Sequence, residues 1–184
     1  MDDESKAAND GQMIAETLSD PAVFVKLYRR HYDAVFRYCI HRLFDRHTAE
    51  DITGEVFLKV VENLGRFRGN VRQFRSWLYK IATNAINDHL RRAGRRKSLL
   101  KGAYRQIGSQ VSDCDESTEK LILLREAVFA LKPRCQTIII LRFFENLKLT
   151  EIAEVLSSSP GTVRSQLARA LAKMRKKLVK DFTD

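Results

Sequence analysis

Cysteine is scarce in this 184-residue chain, and Cys39, Cys114 and Cys135 stand too far apart to offer a disulfide framework or a metal-ligand spacing. The four histidines do not gather with cysteines or acids, so no metal or cofactor is expected. There is no glycine-rich phosphate loop closed by Lys-Ser/Thr and no nucleophile elbow. No catalytic constellation remains, which argues against an enzyme. No apolar run approaches the ~20 residues that span a bilayer. The opening MDDESKAAND is acidic and polar, the wrong character for a secretory leader. A soluble cytoplasmic protein with no membrane insertion of its own is the expectation. Sustained strand alternation is missing too, so the fold class reads all-α.

What the chain does have is positive charge and helical periodicity. Lys and Arg total 33 against 23 Asp and Glu, a formal +10. Such an excess suits nucleic acid, an acidic membrane surface or an acidic protein, and its placement must decide. The last third is the most informative. In TEIAEVLSSSPGTVRSQLARALAKMRKKL (150–178), Ile152, Val155 and Leu156 give a short helix one apolar face, and Val163, Leu167, Ala170, Leu171 and Met174 give a longer helix another. Ser159 suits the N-cap of the second helix and Pro160 its first position. The polar side of that helix carries Thr162, Arg164, Ser165, Gln166 and Arg169. This is the layout of a helix-turn-helix whose second helix enters the major groove. Guanidinium groups there serve guanine edges or phosphates, and an amide serves adenine. Lys173, Arg175, Lys176 and Lys177 either extend this surface or form a solvated basic tail.

Residues 1–20 read as an acidic N-terminal tail. A helix is expected over about 22–44, with Cys39 within its apolar series as a small buried hydrophobe. Thr48 is the expected cap of a second helix, buried through Ile52, Val56, Phe57, Val60, Val61 and Leu64. Glu50, Asp51, Thr53 and Glu55 give its first half an acidic and polar outer face, which reads either as a partner surface or as a solvated one. Gly54 inside that helix costs about 1 kcal/mol relative to Ala, and its presence argues for close packing or a backbone contact. In Gly65–Phe74, Arg66, Phe67, Arg68 and Asn70 offer an aromatic to stack on a base and arginines to hold phosphates; Phe67 plugging the core is the equal alternative. A third helix is expected over 72–93, with Trp77 as a core anchor and Asn84, Asn87 and Asp88 along its flank. It runs into Arg91 and Arg92, the start of seven basic residues between 91 and 105 with no acid among them, a phosphate-contacting stripe. Periodicity fades over 94–117 and resumes at 118, where Leu121, Leu124, Val128 and Leu131 give one face. The architecture expected is thus two small helical domains, 21–93 and 118–184, joined by a flexible linker at 94–117, the C-terminal one a helix-turn-helix.

Together the two halves resemble a bacterial RNA polymerase sigma factor of the sigma-70 superfamily, in its compact extracytoplasmic-function group. AEDITGEVFLKV (49–60) and FRSWLYKIATNAINDHLRR (74–92) resemble region 2, and KPRCQTIIILRFFENLKLTEIAEVLSSSPGTVRSQLARALAKMRKKL resembles region 4. The resemblance covers about residues 22–178. It implies that Glu50, Asp51 and Glu55 dock on the beta-prime coiled coil of core RNA polymerase, with the beta subunit also a partner. It implies that Arg66, Phe67, Arg68, Asn70, Asn84, Asp88, Arg91 and Arg92 engage the melted −10 element. Thr162, Arg164, Ser165, Gln166 and Arg169 would read the −35 duplex. It further implies an anti-sigma factor as partner, beside promoter DNA. Three positions depart from the common pattern: Gly54 stands where Gln is usual, and Ser157 and Asn146 where Gly is usual. Two other readings stand beside this one: a helix-turn-helix regulator outside the sigma family, and a sigma-like protein that occupies polymerase without initiating, which Gly54 keeps open.

Overall fold

The computed structural model describes residues 21–67, 71–99 and 116–181, and every described element is helical. The helices are α1 (Pro21–Leu43), α2 (Arg46–Leu64), α3 (Val71–Leu99), α4 (Glu116–Phe129), α5 (Pro133–Phe143), α6 (Leu149–Val155) and α7 (Pro160–Asp181).

The first three helices share one core, because each carries apolar residues at three- and four-residue steps. Tyr28 and Tyr32 of α1 lie against Phe57 of α2, with ring centroids 4.7 and 6.3 Å apart. Phe44 ends α1 in the left-handed region at φ 55°. Asp45 then caps α2, its carboxylate accepting from the Thr48 amide at 2.7 Å. The cap is therefore Asp45 and not the expected Thr48, which sits in the first turn as the donor. The bonds from Thr48 hold the Asp45 carboxyl below its ordinary value. Thr53, expected on the outer face, is buried and donates to the Ala49 carbonyl at 2.6 Å. Val61, expected inside, is 52% exposed. Gly54 is exposed, and a Cβ built there would meet nothing within 4 Å, so close packing within the chain does not explain it.

Two short linking turns shape the second half. Asn146 (φ 54°) turns the chain from α5 toward α6, and Ser157 (φ 48°) turns it from α6 toward α7. Both lie in the region glycine favours, as expected of positions where glycine is usual. Ser159 caps α7, accepting from the Thr162 amide at 3.1 Å, with Pro160 as the first helical residue. Ile138, Ile140 and Leu141 of α5, Ile152 and Val155 of α6, and Val163 and Ala170 of α7 close the core of this half. Of the apolar face expected on α4, Val128 and Leu131 are buried, whereas Leu121 is 64% exposed and Leu124 is exposed. Among the described side chains of α4, the fully buried ones, Ala127 and Val128, lie at its C-terminal end. Lys173 of α7 donates there to the Ala130 carbonyl at 2.6 Å.

The helix expected to stop near 93 runs on to Leu99, and α4 begins at Glu116, so both ends of the segment read as a linker are helical. Residues 100–115, including Cys114, lie outside the described residues. The two halves also touch directly: α3 packs on α6, and α1 on α5.

Candidate functional site

Three surfaces carry the predicted residues. The first is the outer face of α2. Glu50 pairs with Arg46 at 2.9 Å and Glu55 with Lys59 at 2.5 Å, both one helical turn apart. Asp51 is exposed and makes no ion pair among the described residues. Exposed pairs of this kind hold little energy and exchange readily for a partner's charge. Leu58, 67% exposed, and Val61 stand on the same side of the helix, one and two turns on from Gly54. Periodicity assigned Val61 inward; its exposure depends on which neighbours α2 meets, which spacing alone does not reveal.

The second surface is the turn after α2 and the outer flank of α3. Phe67 is half-buried and packs on Trp77 and Phe74, with centroids 5.0 and 5.8 Å away. Trp77 is half-buried beneath it, an anchor for the turn. Of the two roles left open for Phe67, this is the plugging position. Phe67 keeps part of its surface open, and Arg66 next to it is exposed. Arg68 and Asn70 lie outside the described residues. Asn84, Arg91 and Arg92 are exposed along α3, and Asp88, half-buried, pairs with Arg91 at 3.0 Å.

The third surface is α7. Thr162, Arg164, Ser165 and Arg169 are exposed and Gln166 is half-exposed. Several are held by neighbours. The Ser159 and Thr162 hydroxyls share a bond of 2.9 Å, Ser165 donates to the Thr162 carbonyl at 2.9 Å, and Arg169 Nε donates to the Ser165 carbonyl at 3.2 Å. Arg134 of α5 donates to Gln166 Oε1 at 3.1 Å. A guanidinium has donors only, so it fixes which end of the Gln166 amide points inward. Arg134 was not among the predicted residues, because only the fold brings it beside Gln166. Arg164 has no hydrogen bond among the described residues and stands free toward solvent. The row is convex, donor-rich and set on a rigid helix, the form that reads base edges and phosphates in a groove.

Among the described residues no group of three or more His, Cys, Asp or Glu could hold a metal ion. No described helix is long and apolar enough to cross a membrane. The Cys39 thiol is buried, which pushes its pKa up to about 11 and leaves it protonated at neutral pH.

Residues 27–96 match the family described as Sigma-70 region 2, and residues 121–174 match Sigma-70, region 4. The chain is 32% identical over 162 residues to the RNA polymerase sigma factor YlaC of Bacillus subtilis, covering 84% of this chain and 91% of that one. It is 29% identical over 170 residues to the ECF RNA polymerase sigma factor SigW of the same organism, covering 86% and 90%. It is 30% identical over 165 residues to the ECF RNA polymerase sigma factor BldN of Streptomyces coelicolor, covering 86% of this chain and 61% of that longer protein. Among solved structures, CnrH in complex with the cytosolic domain of CnrY superposes with a TM-score of 0.70 at 21% identity over 94% of this chain and 98% of that one. The sigma factor RpoE in complex with the anti-sigma factor NepR from Bartonella quintana gives 0.68 at 19% identity, over 84% and 96%. These two likenesses show the same fold.

Proposed function

This chain belongs to the sigma-70 family, in its extracytoplasmic-function group, and from that premise we propose which surface does which part of the work. The protein is not an enzyme. It binds core RNA polymerase and directs promoter-specific initiation by recognising the −35 and −10 elements. We assign residues 21–93 to region 2, 118–184 to region 4 and the segment between to a linker.

The acidic face of α2, with Glu50, Asp51 and Glu55, docks on the beta-prime coiled coil, and the beta subunit supplies a further contact. Arg66 and Phe67 meet an unstacked base of the −10 element, with Arg68 and Asn70 beside them. Asn84, Asp88, Arg91 and Arg92 line the melted strand. Stacking and pocketing of extruded bases offsets an unstacking cost of a few kcal/mol per step. Thr162, Arg164, Ser165, Gln166 and Arg169 read the −35 duplex. The protein works in the cytoplasm, and a dedicated anti-sigma factor restrains it.

The observation that supports this reading best is the row of exposed donors on α7, with unpaired Arg164 at its centre. The test is run-off transcription from randomised promoters with purified core polymerase. Transcripts at a fixed distance from two enriched elements are the expected result. Reversing Glu50 and Asp51 to Lys should abolish core binding. Arg164→Ala should lose about 1–3 kcal/mol of discrimination at one −35 position while leaving the others intact. Tight duplex binding without polymerase, and no transcript with it, would sink the assignment in favour of an ordinary regulator.

A further inference from the structure

Gln166 of α7 differs from its neighbours on the reading helix in where its partner comes from. Thr162 and Arg169 lie one turn to either side of it. Each is held from within its own stretch of chain. The Thr162 hydroxyl shares a bond with that of Ser159, and Arg169 Nε donates to the Ser165 carbonyl. Gln166 is held from another helix. Arg134, in the first turn of α5, donates from Nε to Gln166 Oε1 at 3.1 Å. The Nε2 group of Gln166 makes no hydrogen bond among the described residues, and the side chain is half-exposed.

The placement of Arg134 runs against the preference of its own helix. The first turn of α5 has no acidic residue, and Lys132 at the cap makes no side-chain cap bond. Two exposed cations thus stand at a helix N-terminus, where the macrodipole favours anions. Among the described residues Arg134 makes no ion pair and no other hydrogen bond, so only the bond across to α7 offsets that placement. The helix is a firm base for it. Thr137, Ile138 and Leu141 are buried, and α5 packs on α7.

The chemistry of base edges gives this bond a consequence. A free glutamine amide reads adenine with both of its ends, the oxygen accepting from N6 and the nitrogen donating to N7. Guanine instead presents two acceptors, O6 and N7. With Arg134 on Oε1, the amide oxygen already faces a cation that has donors only. An adenine N6–H brought to the same oxygen meets that positive charge and must share the acceptor. The amide nitrogen keeps both hydrogens for acceptors, and the guanidinium polarises the amide so that they donate more strongly. Entry into the groove strips water from the pair and strengthens the bond further.

We propose that Arg134 is a positioning residue for −35 reading: by holding Gln166 Oε1 it makes the amide a donor-only reader that selects guanine over adenine at one base pair. This rests on the sigma-factor reading above and adds to it a residue outside the recognition helix that sets one letter of the promoter.

The test reads base preference, which a merely structural role would not move. Holoenzymes with wild type, Arg134→Ala, Gln166→Ala and the double variant are compared by run-off transcription from promoters randomised in the −35 element. Gln166→Ala identifies the pair concerned, as the one position where preference flattens. There wild type should favour guanine over adenine by about threefold or more, part of the roughly 5- to 150-fold that a full bidentate contact supplies. Arg134→Ala should move the preference toward adenine by a similar factor and leave the other positions as they were. In the Gln166→Ala background the same substitution should change nothing at that pair, because it acts through the amide. Holoenzyme binding to one fixed promoter should keep its salt dependence in Arg134→Ala. An unchanged guanine-to-adenine ratio would overturn the proposal. A uniform loss across sequences, with a salt slope smaller by about one, would overturn it too and make Arg134 a phosphate contact. So would a shift that persists without Gln166, or a Gln166→Ala profile that flattens nowhere. A wild type that yields no promoter-specific transcript would instead remove the functional reading, before any variant is compared.

Discussion

Ser157 carries a β-carbon through φ 48°, a conformation with a steric cost that glycine does not bear. Ser157→Gly should therefore stabilise the protein by about 1 kcal/mol in a denaturant melt, less whatever glycine adds to the freedom of the unfolded chain. Asn146→Gly should be near neutral, since Asn tolerates the left-handed region far better. A destabilised Ser157→Gly would mean the serine side chain contributes more than its backbone costs. Cys39 makes a second prediction at this scale. Its folded thiol titrates near 11 against 9.0 when free, so the unfolded chain ionises first as pH rises. The stability from its burial is full below pH 9 and is lost as pH climbs toward 11. Tyr38 and Tyr79, also raised by burial, act from their ordinary 10.0 upward in the same direction. Alkaline destabilisation should thus begin about one pH unit later in Cys39→Ala than in wild type when melts are compared across pH 8–11.

At the scale of elements, α2 offers a clean test because Gly54 faces open space. Gly54→Ala should add about 1 kcal/mol of stability through helix propensity alone and leave polymerase affinity unchanged. Gly54→Gln, which places a side chain on the docking face, should tighten polymerase binding; equal affinity for Gly, Ala and Gln would show that no partner group reaches this position. Ser159→Ala should cost about 1 kcal/mol by removing the α7 cap. The Ser159 cap, the Pro160 start and the two left-handed turns were legible in the sequence because each depends on a residue and its immediate neighbours. The α2 cap departs from expectation for a local reason too. Thr48 and Asp45 are both good caps, and the choice turned on Phe44 adopting positive φ, for which an aromatic residue gives no signal. The outward turn of Val61, the inward turn of Thr53 and the exposure of Leu121 depend on which neighbours a helix meets. Periodicity gives the phase of a stripe but not the width of the partner that covers it. Arg134 beside Gln166, and Glu145 beneath Tyr79, bridge 32 and 66 residues of chain, and no local pattern encodes such pairs.

At the scale of the whole molecule, the helices of each half follow from its own periodicity, whereas function depends on the distance between halves. That distance is not a property of the free chain, because its domains pack on each other through α3 with α6 and α1 with α5. Once polymerase holds them apart, the separation and the relative rotation of the two reading surfaces become fixed. Each base pair added between the promoter elements then moves one site by about 3.4 Å and turns it by about 34°. Two pairs rotate the −35 bases by roughly 70°, enough to carry them off the face that Arg164 and Arg169 present. Holoenzyme transcription from a series of promoters with spacers changed by one and two pairs should fall steeply to both sides of one optimum, by about tenfold or more at two pairs, since losing one bidentate base contact alone costs about 1–3 kcal/mol. Duplex binding by the free protein should depend on salt, as its +10 charge dictates, and not on the spacer. A free protein with the same spacer optimum as the holoenzyme would show that the chain sets the ruler itself, and the fixed-separation argument would fail.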